Sequence, residues 1–188
     1  MNPSRYLVFD TETGGLDASR HSLLTLGLVA GGPEGVDEGL ELAVRHEPYV
    51  VSAGGMKVNR IDLVAHHETA LEPPKVLEAL DIFLVRHFWD EPVVLVGHNI
   101  SFDIAFLRAF LESRGRAFEP RFSHRSVDTH AVAAALRDAG RIPAQVKLSS
   151  TALFDHFGIV VPEEKRHTAL GDALATHALY WKLVELAR

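Results

Sequence analysis

The sequence predicts an α/β fold, a mixed five-stranded sheet with helices on both faces. Three observations lead there. Apolar runs at 6–9, 23–30 and 40–44 are joined by short connections, as in an antiparallel meander. The compact β-branched run Val93-Val94-Leu95-Val96 then follows a helical pattern and precedes another. Beyond it, helix–strand–helix alternation follows, the pattern of parallel strands joined by helical crossovers, and helices complete the chain.

Each element has its own signal. The first run, Tyr6-Leu7-Val8-Phe9, is aromatic-rich, reads as a buried strand, ends at Asp10 and is broken by Gly14-Gly15. A glycine-rich turn over 31–39 separates the second and third runs. The pattern weakens over 52–67, where short helices are expected. Pro73 and Pro74 suit the first turn of a helix, because proline lacks the N–H that such a turn leaves unused. Val76, Leu77, Leu80, Phe83 and Leu84 follow at helical spacing. Val93–Val96 reads as a central strand ending at Gly97. The stretch 101–113 places Phe102, Ala105, Phe106, Ala109 and Phe110 on one helical face, with Gly115 as the stop. A short strand over 125–127 precedes a helix over 129–138, for which Asp128 is the N-cap. Helices over 147–157 and 168–187 complete the prediction.

A chain of 188 residues fits one domain, taken as 1–188, and can bury a sizeable core without covalent staples. Hydrophobic residues at 47% and charged residues at 23% are ordinary globular values. Without cysteine, disulfides, thiolate metal sites and cysteine nucleophiles are excluded. The N-terminus shows no signal-peptide stretch and no apolar run reaches a membrane span, so a cytoplasmic chain without membrane association is expected. The net charge of −6 argues against broad, affinity-driven binding of nucleic acid. It leaves open an enzyme that grips only a strand end through divalent cations.

Three segments carry candidate chemistry. In FDTETGG, strand alternation puts Asp10 and Glu12 on one face, where both can reach one cation. A bland reading, two solvated carboxylates, is weakened by the buried strand before them. GHNISFDIAFL lies where a parallel strand hands over to a helix, a usual place for ligand sites in α/β sheets. Taken alone, Asp103 in that segment is better read as an acid complementing a helix dipole. HTALGD opens the last helix, with His167 at its mouth and Asp172 inside it. Alone these too read as a surface histidine and a solvated aspartate.

Together, in this order, the three segments resemble the DEDD exonuclease superfamily, in its histidine-containing DEDDh branch. The match runs from Asp10 to Asp172 with every ligand position kept. It is similar both to the proofreading epsilon subunits of bacterial DNA polymerase III and to ribonuclease T. The resemblance implies an RNase H-like fold and a single exonuclease domain. It also implies 3′→5′ hydrolysis of single-stranded nucleic acid, DNA favoured, releasing nucleoside 5′-monophosphates. Two divalent cations, Mg²⁺ or Mn²⁺, are implied: Asp10 bridging both, Glu12 and Asp172 completing the ligands of the first ion, Asp103 holding the second ion, partly through water. All-oxygen ligands suit such hard ions. Four converging carboxylates also need them, since each like-charged pair at 4 Å costs about 4 kcal/mol at an effective dielectric near 20. His167 is implied as general base. Thr13, through its backbone, and Leu16, as an apolar wedge, are implied to seat the terminal nucleotide. Core packing explains Leu16 equally well. His98 and Asn99 either order the second ion's water or stabilise a turn.

Other clusters are set aside. Asp62, His66 and His67 read as a solvated helix face, and His156 between its aromatic neighbours as a partly buried helix residue. Arg121, His124 and Arg125 form a loop cluster that suits phosphates only weakly. The chain ends at Arg188, directly after its last helix, so the C-terminal extension by which replicative proofreading subunits bind a polymerase is not expected. The segment GGMKVNRID at 54–62 is similar in both DNA- and RNA-acting members. An RNA-trimming exoribonuclease of the ribonuclease T or oligoribonuclease type therefore stays open, as does an inactive binding module. Oligomeric state and a polymerase partner are open too.

Overall fold

The structure, a computed structural model, describes residues 6–162, 165 and 168–188. In chain order it forms β1 (Tyr6–Thr13), β2 (Leu23–Gly32), β3 (Gly35–Ala43), α1 (Ala53–Asn59), α2 (Leu63–Thr69) and α3 (Pro73–Phe88). Then come β4 (Val93–Gly97), α4 (Ser101–Glu112), β5 (Phe122–Asp128), α5 (Thr129–Asp138), α6 (Ser150–Phe157) and α7 (Ala169–Leu186). The sheet order is β3-β2-β1-β4-β5. The first three strands pair antiparallel, while β4 runs parallel to β1 and β5. This is the predicted mixed five-stranded sheet.

Two apolar layers sandwich it. On one face Leu7, Phe9, Leu26, Leu28 and Leu95 pack with residues of α3 and α4. On the other, Val8, Val29 and Val96 pack against Ala173 and Tyr180 of α7. Neighbouring β1 residues thus serve opposite layers, as strand alternation requires. A further cluster joins α5, α6 and α7 through Leu136, Leu153, Leu179 and Leu183. No helix among the described residues is long and apolar enough to cross a membrane.

Several boundaries differ from expectation. The first strand continues through Asp10 and Glu12 to Thr13, paired with β2. The turn expected over 31–39 shrinks to Pro33-Glu34, because β3 begins at Gly35. β3 lies at the sheet edge and is mostly exposed, so its polar residues hide a strand. α6 begins at Ser150, where the Ser149 hydroxyl accepts from the Ala152 N–H, rather than at 147. On α4 the buried face is Asp103, Phe106, Leu107, Phe110 and Leu111, so Ala105 points outward instead. Asp128 caps α5 as expected, accepting from the His130 N–H at 2.9 Å.

The pairing of β1 places the site. β4 pairs only with Tyr6, Leu7 and Val8 of β1. The remaining half of β1, from Asp10 onward, therefore projects past the carboxyl end of its parallel neighbour, where open α/β sheets leave a crevice.

Candidate active site

Asp10 and Glu12 lie on the projecting half of β1, and Asp172 lies in the first turn of α7. Each offers a carboxylate oxygen, and the three oxygens fall within 4.8 Å of one another. Asp172 reaches them because α7 crosses β2 at close range. Gly27 pairs with Asp10 across the sheet, and a Cβ on Gly27 would run into the Ala169 carbonyl. The next strand adds a tether. Glu41 of β3 pairs with Gly27, and its Oε2 accepts from the Leu170 N–H at 3.0 Å. Thr168 caps the same helix, accepting from the Gly171 N–H at 3.0 Å.

Asp103 approaches differently. It is 5% exposed in the first turn of α4, on the opposite side of the sheet from α7. The Thr11 hydroxyl, which strand alternation turns away from Asp10, donates to Asp103 Oδ1 at 2.6 Å. The four acids therefore flank the end of one strand, a trio on one face and a single buried carboxylate on the other.

Burial and mutual repulsion shift these acids strongly. Asp10 is held well above the usual carboxylate range, by burial first and then by Asp103, Asp172 and Glu12. Glu12 is pushed up to about 8 by burial, then Asp172, Asp103 and Glu41. Burial raises Asp103 to about 7 against the opposing hydrogen bonds from Thr11. Among the described residues no lysine or arginine forms an ion pair with Asp10, Glu12 or Asp103. Oxygen-only donors, crowded together and raised in pKa chiefly by burial, fit hard divalent cations.

Beside the acids opens a cavity of about 500 Å³, lined by Thr11, Glu12, Thr13, Leu16, Asn59 and Phe102, among others. Leu16 is 86% exposed at its rim, which removes core packing as its explanation. The Thr13 carbonyl already accepts from Asn59 Nδ2 at 2.9 Å, and its hydroxyl donates to the Gly15 carbonyl. Gly55 brings α1 against this wall, since a Cβ there would lie 2.6 Å from the Gly14 carbonyl oxygen. Asn59, Phe102, Gly55 and Glu41 are site residues that sequence reasoning missed. The GGMKVNRID segment, which holds Gly55 and Asn59, was the one legible hint.

His98 and Asn99 serve the turn between β4 and α4 and tie it to the start of α5. His98 Nδ1 lies 3.0 Å from the Thr129 hydroxyl, and the Asn99 N–H donates to Asp128 Oδ1 at 3.0 Å. Asn99 takes a left-handed φ of 57°, which asparagine tolerates. His167 lies outside the described residues. The clusters set aside have structural employment: Asp62 caps α2, and Arg121 donates to the Trp89 carbonyl at 2.6 Å. The His156 ring packs edge-on to Phe157.

No protein-family model matches the sequence. Individual proteins do. A DNA polymerase III subunit epsilon of Treponema pallidum is 30% identical over 183 residues, covering 95% of this chain and 76% of its own length. The chain belongs to the DEDDh exonuclease superfamily. A PolC-type DNA polymerase III of Oceanobacillus iheyensis is 30% identical over 181 residues. The chain spans 11% of that polymerase's length, while 96% of the chain is covered. A ribonuclease T of Wigglesworthia glossinidia brevipalpis is 24% identical over 187 residues, covering 95% of this chain and 83% of its own. Among solved structures, the zinc-bound complex of E. coli exonuclease I with single-stranded DNA superimposes with a TM-score of 0.80 at 16% identity. It covers 100% of this chain and 41% of that one. The nuclease domain of 3′hExo, a DEDDh member bound to rAMP, gives 0.76 at 12%, covering 98% and 93%. At these identities the solved structures establish the RNase H-like exonuclease fold of the family.

Proposed function

We propose that this chain is a divalent-metal-dependent 3′→5′ exonuclease that removes single nucleotides from the 3′ end of single-stranded nucleic acid, DNA favoured. One observation carries the reading. Three carboxylate oxygens lie within 4.8 Å of one another, beside a cavity with an exposed apolar rim. Asp10, Glu12 and Asp172 would hold one cation, and Asp10 with Asp103 a second. When bound, such a pair supplies a low-pKa water and neutralises charge on the attacking and leaving oxygens of an in-line displacement. Mg²⁺ and Mn²⁺ both suit the donors.

The chain's own groups do the rest. The cavity takes the terminal nucleoside, with Leu16 and Phe102 offering apolar surface to the base. Glu41 and Thr168 hold the α7 turn that carries Asp172. His167 is assigned the proton of the attacking water, from its place in the HTALGD segment immediately before that turn. Transfer to water would leave a nucleoside 5′-monophosphate.

The preference for DNA rests on the epsilon and PolC-type relatives. The ribonuclease T relative, similar over nearly the whole chain, supports a second reading, an exoribonuclease. Incubation of 5′-labelled single-stranded DNA and RNA with Mg²⁺ or Mn²⁺ tests both. Stepwise shortening from the 3′ end is expected, lost in EDTA and in Asp172→Asn. If neither polymer is shortened under any of these conditions, the chain is a binding module with an exonuclease fold, and the enzymatic reading is wrong.

A further inference from the structure

Two arginines and two histidines that the proposed chemistry does not use face one cavity. It holds about 280 Å³, and Arg20, His21, His46 and Arg114 line it together with apolar surface from Phe106 and Phe110. Among the described residues no aspartate or glutamate lines it. Neither Arg20 nor Arg114 enters an ion pair among the described residues. Asp17 accepts from both the N–H and the hydroxyl of Ser19, which chiefly lower its pKa, and the nearby charges of Arg20 and His21 lower it further without a direct ion pair. Arg114 is close enough to His46 that its charge, after burial, helps hold that imidazole below its usual pKa. His46 is fixed by the Leu23 carbonyl, 2.7 Å from its Nε2.

The cavity shares both of its walls with the nucleotide pocket. α4 gives Phe102 to the pocket and Phe106 and Phe110 to the basic cavity, with Arg114 just beyond the helix end. The Phe102 and Phe106 rings are 5.0 Å apart, so this wall is continuous. Opposite, the segment after β1 gives Leu16 to the pocket and Arg20 and His21 to the cavity. The two halves of that segment are packed together, since a Cβ on Gly15 would meet the His21 ring. Along α4, Phe102 to Phe110 spans about 12 Å at 1.5 Å per residue, with Arg114 farther on, the length of a few nucleotides of extended strand.

We propose that the cavity of Arg20, His21, His46 and Arg114 is an anion subsite for a backbone phosphodiester of the strand whose 3′ end occupies the nucleotide pocket. The inference rests on the nuclease reading and deepens it. A chain of net charge −6 with clustered carboxylates repels a polyanion. Phosphates held a few nucleotides back would offset that repulsion without placing a cation among the metal ligands. Arginine suits the task, because its planar fork pairs with two phosphate oxygens at once.

The test uses Arg20→Gln, Arg114→Gln and the double variant. Lys182→Gln, exposed on α7, serves as a control for loss of positive charge elsewhere on the surface. Binding of a fluorescein-labelled oligothymidylate octamer is measured in EDTA over a range of salt. The double variant should bind about tenfold more weakly. Its plot of log affinity against log salt should flatten by about 0.7 for each phosphate no longer neutralised. In Mn²⁺, the advantage of the octamer over a dinucleotide in kcat/KM should shrink about tenfold. The proposal is overturned if the double variant matches Lys182→Gln in affinity and salt slope, or if octamer and dinucleotide lose activity equally. If wild type cleaves nothing yet binds the octamer, and the double variant loses that binding, the subsite stands and the nuclease reading fails.

Discussion

Replacing Glu12 by glutamine should make the metal-free protein more stable while weakening its response to metal. Glu12 titrates near 8 in the folded protein and at 4.5 when unperturbed. A folded-state pKa above the unfolded one means that the protonated acid is the form compatible with folding. Its stability is fully present below pH 4.5 and is lost as pH rises towards 8. At 1.36 kcal/mol per unit, with the group half-ionised at pH 8, the loss comes to about 4 kcal/mol. Glutamine has the same shape and never ionises, so it escapes this cost. In a domain of this size each kcal/mol moves Tm by about 2–4 °C, which gives Glu12→Gln an advantage of roughly 8–16 °C at pH 8.

Scanning calorimetry in EDTA at several pH values reads this directly. The gap between Glu12→Gln and wild type should be widest near pH 8 and should close as pH falls to about 4.5. Adding Mn²⁺ at pH 8 should raise the Tm of wild type more than that of Glu12→Gln, because the variant has lost one carboxylate ligand of the first cation. Equal Tm values at pH 8 in EDTA would refute the reasoning. A gap of constant size at every pH would do so as well, since packing rather than charge would then be responsible.

Thr11→Val keeps the shape of a buried strand residue but removes the 2.6 Å hydrogen bond to Asp103. A loss of about 1–3 kcal/mol in denaturant unfolding is expected, together with a lower kcat on a single-stranded oligonucleotide. Gly27→Ala pushes a methyl group into the Ala169 carbonyl and should displace the start of α7. A cost of about 1–3 kcal/mol is expected, and calorimetric titration should show weaker Mn²⁺ binding than in wild type. Leu16→Ala alters a side chain that is 86% exposed, so stability should stay within about 0.5 kcal/mol of wild type. Its KM for oligonucleotides should rise, and an unchanged KM would remove Leu16 from the nucleotide pocket.

The legible parts were those where a single period governs a buried element. β4 is apolar along its length, because both of its faces are covered, and its bounds were readable. α5 was readable through the Asp128 cap. The first half of β3 was missed for the opposite reason: an edge strand faces water, and its acids and glycines look like a turn. On α4 the helix was clear but its inner face was not, because alanine fits either side and Leu107 and Leu111 decided the packing. In the site, Asp10 and Glu12 could be paired from strand alternation alone. The approach of Asp172 depends on Gly27, and the support of Asp103 depends on Thr11, pairings between residues far apart in sequence that no local pattern encodes.

That division bears on how the site works. A row across the sheet, Asp10, Gly27 and Glu41, does three different things beneath one helix turn. Asp10 supplies a carboxylate, Gly27 makes room, and Glu41 tethers the Leu170 N–H. Glu41 also adds a negative charge that helps raise Glu12. An anion there complements the exposed N–H groups at the start of α7, yet it crowds the acids that the helix brings in. The tether therefore tightens the geometry and worsens the repulsion together. Such an arrangement is stable only when the added charge is neutralised, so the sheet edge that looked least like part of a site helps to create its demand for cations.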